Sequence, residues 1–364
     1  MMRYEKIQAL RQALHRCPER SDQERETIEK LQLFLRENTT LELHPKDGWF
    51  YALHREEDAA QTIAVRADMD AIENSHGQLF HGCGHDGHSA ILAGLGLALE
   101  GKRLGKNVCL VFQPGEETGT GGKRVCRELF QELRPDFILG CHNIPGKPLG
   151  TVLLRENTFA CASMGLSLDV TGQQSHAAYP EQGKNPVFLL SSIVLALPDL
   201  IEHITHGGPE RLLMATVVQM KVGERNFGVS AGTGTLALTL RAYRQEDMEA
   251  LEKAILDMAQ IGCERAGMTW QSSRQDVFPD TVNRPACCAR VTDTLRKADL
   301  PTQVLPEPMR WSEDFGWYLQ EVPGMYLGLG AGEEHCGLHT DGYEFPDELL
   351  RPAINVLETL VRAL

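Results

Sequence analysis

Short apolar runs separated by helical segments are the feature that most limits what this chain can fold into. Thr62-Ile63-Ala64-Val65, Asn107 to Phe112 (NVCLVF), Phe137-Ile138-Leu139-Gly140 and Met325 to Leu329 are all short, and polar or glycine-rich turns bound them. Runs of that length read as buried strands. Between the first two, Ala90-Ile91-Leu92-Ala93-Gly94-Leu95 has the small and apolar character of a packed helix. Strands that alternate with helices predict an α/β fold, a mainly parallel sheet with helices on both faces. The chain also opens helically. Ser21 and Glu24 have capping-box spacing ahead of Ile28, Leu31, Leu33, Phe34 and Leu35, so they are expected to cap that helix. A helix from Asp347 to Leu364 closes the chain.

The pattern changes near residue 163. Leu166-Ser167-Leu168-Asp169-Val170 alternates as a half-solvated strand does, and a long apolar helix follows from Pro186 to Leu197. Leu212 to Val222 and Thr235 to Leu240 read as strands, and Glu246 to Arg265 as an amphipathic helix. This βαββαβ-like set has the size of a small α+β domain inserted into the larger one. The expected organisation is a larger α/β domain of residues 1–162 and 276–364, interrupted by an insert of residues 163–275.

Composition excludes several classes of function. The chain of 364 residues carries 36 basic and 50 acidic side chains, a net charge of -14 at pH 7. That balance opposes binding to nucleic-acid phosphates and to anionic lipid. No apolar run is expected to approach the ~20 residues that span a bilayer. Met1-Met2-Arg3-Tyr4-Glu5-Lys6 lacks the apolar core of a signal peptide. Ten cysteines are too sparse and irregular for a disulfide scaffold. A soluble, reduced, cytoplasmic protein is expected.

The strand ends carry the chemistry. The first run leads into Arg66-Ala67-Asp68-Met69-Asp70, the second into Gln113-Pro114-Gly115-Glu116-Glu117 and the third into His142. His81-Gly82-Cys83-Gly84-His85-Asp86-Gly87-His88 lies between the first two, just ahead of a helix, and His335 and His339 follow the last run. In open α/β sheets ligands bind outside the carboxyl ends of the strands, so these residues are expected on one rim. Thiolate, imidazole and carboxylate together suit a borderline first-row metal. In a glutamate pair one residue can bind metal while its neighbour moves protons. Singly, each feature has an ordinary explanation: a core cysteine, a solvated acidic turn, a buried and hydrogen-bonded histidine. Their shared rim is what favours a site. Cys17, Cys109, Cys126, Cys141, Cys161, Cys263, Cys287, Cys288 and Cys336 are left as structural. His203 and His206, beside a Gly-Gly-Pro turn, are expected in solvent.

RADMDA, HGCGHDGH, QPGEE, GCHNIP, the SHAAYP stretch from Ser175 to Pro180, and Ser312-Glu313-Asp314-Phe315 occur in that order over most of the chain. In order and spacing they resemble the amidohydrolase branch (subfamily D) of peptidase family M20, which holds aminoacylases, hippurate hydrolases and auxin-conjugate hydrolases. The resemblance implies a catalytic α/β domain interrupted by a lid or dimerisation domain. It implies metal ligands at Cys83, His85, Glu117, His142 and His339, with His335 close enough to His339 to compete for the last place. Glu116 would be the general base, and Asp70 would orient a metal-binding imidazole. His176 would reach the partner subunit's active site and help hold an oxyanion, while Arg241 would grip a substrate carboxylate. Asn226 is a weaker substrate-binding candidate, because Asn226-Phe227-Gly228-Val229 stands where the family has Asn-Val-Ile-Pro, at a different distance from Arg241. The Asp70–His81 segment is also shorter than usual and lacks a Leu-Pro, and His339-Thr340-Asp341 replaces the usual His followed by Asn-Pro or Ser-Pro.

The implied reaction is hydrolysis of the linear amide of an N-acyl amino acid by a homodimer or higher homo-oligomer. Two divalent ions per subunit are implied, zinc or manganese first and nickel or cobalt next. A dipeptidase or carboxypeptidase would use the same site. A metal-binding regulatory protein on an inactive scaffold would require loss of the base or of several ligands.

Overall fold

A computed structural model describes residues 2–206, 208 and 211–364, with Met2 and Arg3 described by backbone alone. The chain divides into two units. The first runs to Phe159 and resumes over Thr281–Pro308 and Asp314–Leu364, and the second comprises Ala160–Asp280 and Met309–Glu313. The second unit thus differs from the expected 163–275 insert at both ends and by the return of Met309–Glu313. That return is held by hydrogen bonds from the Cys161 amide to the carbonyls of Met309 and Trp311, pairings that leave no local pattern in sequence.

The first unit begins with helices α1 (Met2–His15) and α2 (Arg25–Asn38) and strands β1 (Glu42–Pro45), β2 (Phe50–His54) and β3 (Thr62–Asp68). A small hairpin, β4 (Ile72–Glu73) and β5 (Leu79–Phe80), precedes α3 (His85–Leu99). Then come β6 (Asn107–Gln113), α4 (Gly121–Glu132), β7 (Phe137–Ile144), β8 (Val152–Leu154) and β9 (Asn157–Ala160). The second unit supplies β10 (Ala162–Thr171), α5 (Val187–Thr205), β11 (Leu213–Val222), β12 (Thr233–Ala242), α6 (Gln245–Ala266) and β13 (Thr269–Phe278). The first unit ends with β14 (Thr281–Asn283), α7 (Pro285–Lys297), β15 (Thr302–Val304), α8 (Gly316–Glu321), β16 (Gly324–Gly330) and α9 (Leu350–Ala363).

Its main sheet runs β1-β2-β6-β3-β7-β16-β8-β15. The central pairs β6/β3, β3/β7 and β7/β16 are parallel, giving the mainly parallel α/β architecture that the alternating pattern predicts. Every residue of β3, β7 and β16 is buried, which explains why their sequences are continuous runs rather than alternations. Helix α3 packs against β3, α1 and α9 and is buried on nearly all sides. Each leucine buried there, such as Leu92 and Leu95, contributes about 1.5–3 kcal/mol.

The capping box does not form. Helix α2 starts after Glu24 with no side-chain cap from that residue. Its first amides are met from further back, where the Glu19 carboxylate accepts from the Glu26 and Thr27 amides at 3.1 and 2.8 Å. Ser21 and Glu24 point elsewhere.

In the second unit four antiparallel strands, β11-β12-β10-β13, pack against α5 and α6. Leu166, Leu168 and Val170 alternate inward with Leu236, Leu238 and Leu240 against Leu190, Ile193, Leu251 and Ile255. One sequence expectation fails here. Helix α5 runs on to Thr205, and its 19 residues are long and apolar enough to cross a bilayer by length and composition. The helix thus passes the expected end at Leu197 and carries Pro198 inside it. His203 and His206 are exposed, whereas Gly207 and Pro209 of the expected turn lie outside the described residues.

Candidate metal centre and active site

Cys83 and His85 are presented by a turn that only glycine can complete. Gly84 sits between them at φ 93°, and a Cβ there would come within 2.7 Å of Asn143 Oδ1 and 2.8 Å of the Tyr343 hydroxyl. His85 is the first residue of α3. Glu116 and Glu117 lie in the loop between β6 and α4. His142 lies within β7, which runs on to Ile144, rather than in a turn after the strand. His339 is in the loop after β16, at φ 62°, and its amide bonds the Gly82 carbonyl at 2.9 Å, fastening this loop to the cysteine turn.

These elements bring the side chains together. Cys83, His85 and His142 form one group with metal-ligand spacing, Cys83, Glu117 and His339 a second, and His85, Glu116 and Glu117 a third. Cys83 Sγ lies 3.3 Å from His142 Nε2 and 3.4 Å from His339 Nε2. Glu117 Oε1 is 3.6 Å from His339 Nε2 and 3.8 Å from His85 Nε2. Among the described residues His335 enters no such group, being half-buried with its ring beside the Cys336 carbonyl. Cys336, expected to be structural, is the exposed member of the ten cysteines.

His85 Nε2 and Glu117 Oε1 are buried without a hydrogen-bond partner among the described residues. Leaving such groups unpaired is costly, and a divalent cation would satisfy both. Sulfur, nitrogen and oxygen donors around one point fit a zinc-like ion. Burial, reinforced by the Glu117 charge, pushes the Cys83 thiol up. Burial, opposed by His85, pushes Glu117 up to about 7. Burial beside His88 holds His142 down, in the neutral form that ligates metal.

Asp70 meets His85 from behind, with Oδ1 3.1 Å from Nδ1. A further layer, outside the expected site residues, lies beneath. Asp68 Oδ1 lies 2.6 Å from His88 Nδ1, and its Oδ2 accepts from Arg66 at 2.6 Å. Arg66 also bonds Asp314 at 2.5 Å, and His88 Nε2 faces Asn143 Oδ1 at the same distance. The signal was present in sequence: an arginine and an aspartate in an otherwise apolar strand, and a histidine three residues after His85, one helical turn along the same face. Beside Glu117 and His339 opens a cavity of about 490 Å³, walled by Arg20, Ser21, Gln23 and Glu73.

The other three expected site residues belong to the second unit. His176 is exposed, and its Nδ1 accepts from the Ala178 amide at 3.0 Å. Asn226 is exposed and uses Oδ1 to receive the Gly228 amide, shaping its own turn. Arg241 donates to the Arg310 carbonyl at 2.6 Å and to Ser312 Oγ at 2.7 Å.

A parallel α/β sheet with buried thiol, imidazole and carboxylate donors at its rim, beside a second glutamate, defines a metal-binding hydrolase. Comparison with known proteins names the family: the chain belongs to peptidase family M20/M25/M40, which matches residues 64–363, and it is a hydrolase of amide bonds. It is similar to an N-acetyldiaminopimelate deacetylase of Leuconostoc mesenteroides, 27% identical over 84% of this chain and 82% of that one. It is also similar to an N-acetyl-L-cysteine deacetylase of Bacillus subtilis, 29% identical over 91% of this chain and 81% of that one. In fold it matches the crystal structure of the YxeP protein of Bacillus subtilis, a dinuclear metal-binding peptidase of the M20 family, with a TM-score of 0.79, 21% identity and coverage of 99% and 98%.

Proposed function

We propose that this protein hydrolyses the linear amide of N-acyl amino acids, with N-acetyl the first acyl group to test. Two divalent ions per subunit, zinc or manganese, would be held by Cys83, His85, Glu117, His142 and His339. The observation that carries this reading is the convergence of those donors around two buried atoms, His85 Nε2 and Glu117 Oε1, that have no hydrogen-bond partner among the described residues, with Glu116 beside them. The deacetylases among its relatives support the choice of acyl group.

Bound ions of this kind supply an acidified water and polarise a carbonyl oxygen. The chain's own residues do the rest. Asp70 fixes His85 so that Nε2 faces the site. Glu116 accepts the proton of the attacking water on its carboxylate. It then delivers that proton to the departing nitrogen, which leaves poorly as an amide anion. His176 is assigned to donate a hydrogen bond to the developing oxyanion, and Arg241 to receive the substrate carboxylate. Asn226 is kept as a secondary substrate contact.

We assign the working form as a homodimer in which His176 serves the partner's site. Exposed apolar side chains on the second unit support self-association: Phe188 and Leu195 on α5 are each 78% exposed, and Val217 and Val218 are exposed on the edge strand β11. Ten unpaired cysteines support a reducing, cytoplasmic setting.

The test is release of free amine from a panel of N-acetyl and N-benzoyl amino acids, with dipeptides alongside, by protein reloaded with Zn²⁺ or Mn²⁺. Turnover of N-acyl amino acids in preference to dipeptides is expected. Turnover of dipeptides alone would overturn the substrate assignment, and no metal-stimulated turnover of any member would overturn the activity.

A further inference from the structure

The link between α1 and α2 carries out work that its sequence does not announce. The Glu19 carboxylate meets the Glu26 and Thr27 amides of α2, and the Arg25 amide bonds the Gln23 carbonyl at 2.8 Å, so the Ser21 and Glu24 side chains are not needed as helix caps. Both reach the metal-site loops instead. Ser21 Oγ donates to Asp70 Oδ2 at 2.7 Å. The same Oδ2 accepts from the Glu117 amide at 2.9 Å, while Asp70 Oδ1 faces His85. Glu24, only 2% exposed, accepts from the Gly115 amide at 2.8 Å. Gly115 turns the chain at φ 63° directly ahead of Glu116 and Glu117. Between them, Asp22 accepts from Thr120 Oγ1 at 3.0 Å and Arg124 at 2.8 Å, beyond the same loop. On the other side the Glu19 carbonyl accepts from the Ala71 amide at 2.8 Å.

From this we infer that residues 19–24 are a strap that sets the metal centre, with Ser21 and Glu24 as positioning residues for His85, Glu116 and Glu117. The inference rests on the ligand and base roles proposed above. Burying a carboxylate is expensive, and a residue that served only the helix would have no reason to be sealed beneath another loop. Burial, with the nearby Asp70 charge, pushes Glu24 up to about 8. The contact this position makes with the loop is as a hydrogen-bond acceptor for the Gly115 amide. Ser21 acts through Asp70, whose two oxygens tie the orientation of an imidazole to the place of a glutamate backbone. Groups that orient ligands from outside typically change metal affinity or activity by 10–100-fold when removed.

Three variants test the strap: Ser21→Ala, Glu24→Ala and Glu24→Gln. Zn²⁺ affinity is measured by competition with a chromophoric chelator, and kcat and KM for an N-acetyl amino acid are measured on loaded protein. Ser21→Ala and Glu24→Ala are expected to bind Zn²⁺ about 10-fold or more weakly, with kcat falling further than KM changes. Glu24→Gln keeps the acceptor and is expected to stay within about threefold of wild type. Wild-type Zn²⁺ affinity and kcat in both alanine variants would overturn the strap, as would a glutamine variant no better than alanine. If Glu24→Ala does not fold, Ser21→Ala and Glu24→Gln decide the matter by the same criteria. The Zn²⁺ competition needs no substrate, so a wild-type protein that turns over nothing refutes the proposed reaction and still leaves the strap measurable.

Discussion

At the scale of single residues, we assign two neighbouring carboxylates different tasks. Glu117 turns toward His85 and His339 a buried oxygen that has no hydrogen-bond partner among the described residues, whereas Glu116 lies 3.9 Å from His85 Nε2 without being needed to complete the Cys83–Glu117–His339 group. Replacing Glu116 with glutamine keeps the shape and removes the proton acceptor. We expect kcat to fall at least ~100-fold, the scale of a general base, with metal content unchanged by elemental analysis. Normal turnover would assign the proton transfer elsewhere. Cys83→Ser should do the opposite, losing metal on dialysis while the fold is kept, because a serine hydroxyl is a poor ligand at neutral pH. Full retention of metal would make Cys83 a core cysteine. The convergence of these donors was legible because each lies in a short motif with a chemical meaning. The 19–24 strap was not, because nothing local distinguishes a serine that caps its own helix from one that reaches Asp70, 49 positions away.

At the scale of elements, the ends of the first unit are tied by charge. Arg11 on α1, nearly buried, bonds Asp347 at 2.7 Å just ahead of α9, and also faces Asp86 and Glu344. Burial alone would raise Asp347. Hydrogen bonds from Arg11, Gln8 and Gln12, with the Arg11 charge, outweigh it and hold the carboxyl below its usual range. A carboxyl depressed in the folded state stabilises fully above its unfolded pKa of about 4, and that stability is lost as pH falls through the lower folded value. Asp347→Asn should therefore lose about 1–3 kcal/mol at pH 7, read as a lower Tm, and the gap to wild type should close toward pH 3. A gap that stays constant with pH would show that shape, not charge, is at stake. Where burial is two-sided, as in β3 and β7, the strand starts were legible, but both strands run on past the apolar runs to Asp68 and Ile144. The end of α5 was missed where tertiary packing tolerates a local breaker, Pro198.

At the scale of the whole molecule, the alternating strand and helix pattern was enough to give the α/β architecture and the rim of the sheet, because both follow from local periodicity and one topological rule. The segment Met309–Glu313 escaped for the converse reason, since its place is set by long-range backbone bonds. Oligomeric function also belongs here. If His176 works in trans, mixing His176→Ala with Glu116→Gln should restore activity on subunit exchange, because one site of each mixed dimer keeps both groups. Mixed dimers that form without regaining activity would refute it. The central claim is that Cys83, His85, Glu117, His142 and His339 make a metal centre that the reaction requires. It is tested most directly by stripping the protein with a chelator and titrating Zn²⁺ or Mn²⁺ back while counting bound ions and following release of amine from an N-acetyl amino acid. Turnover should vanish with the metal and return in step with two ions per chain. Hydrolysis that persists in metal-free protein, or that stays absent with both ions bound, would contradict the account.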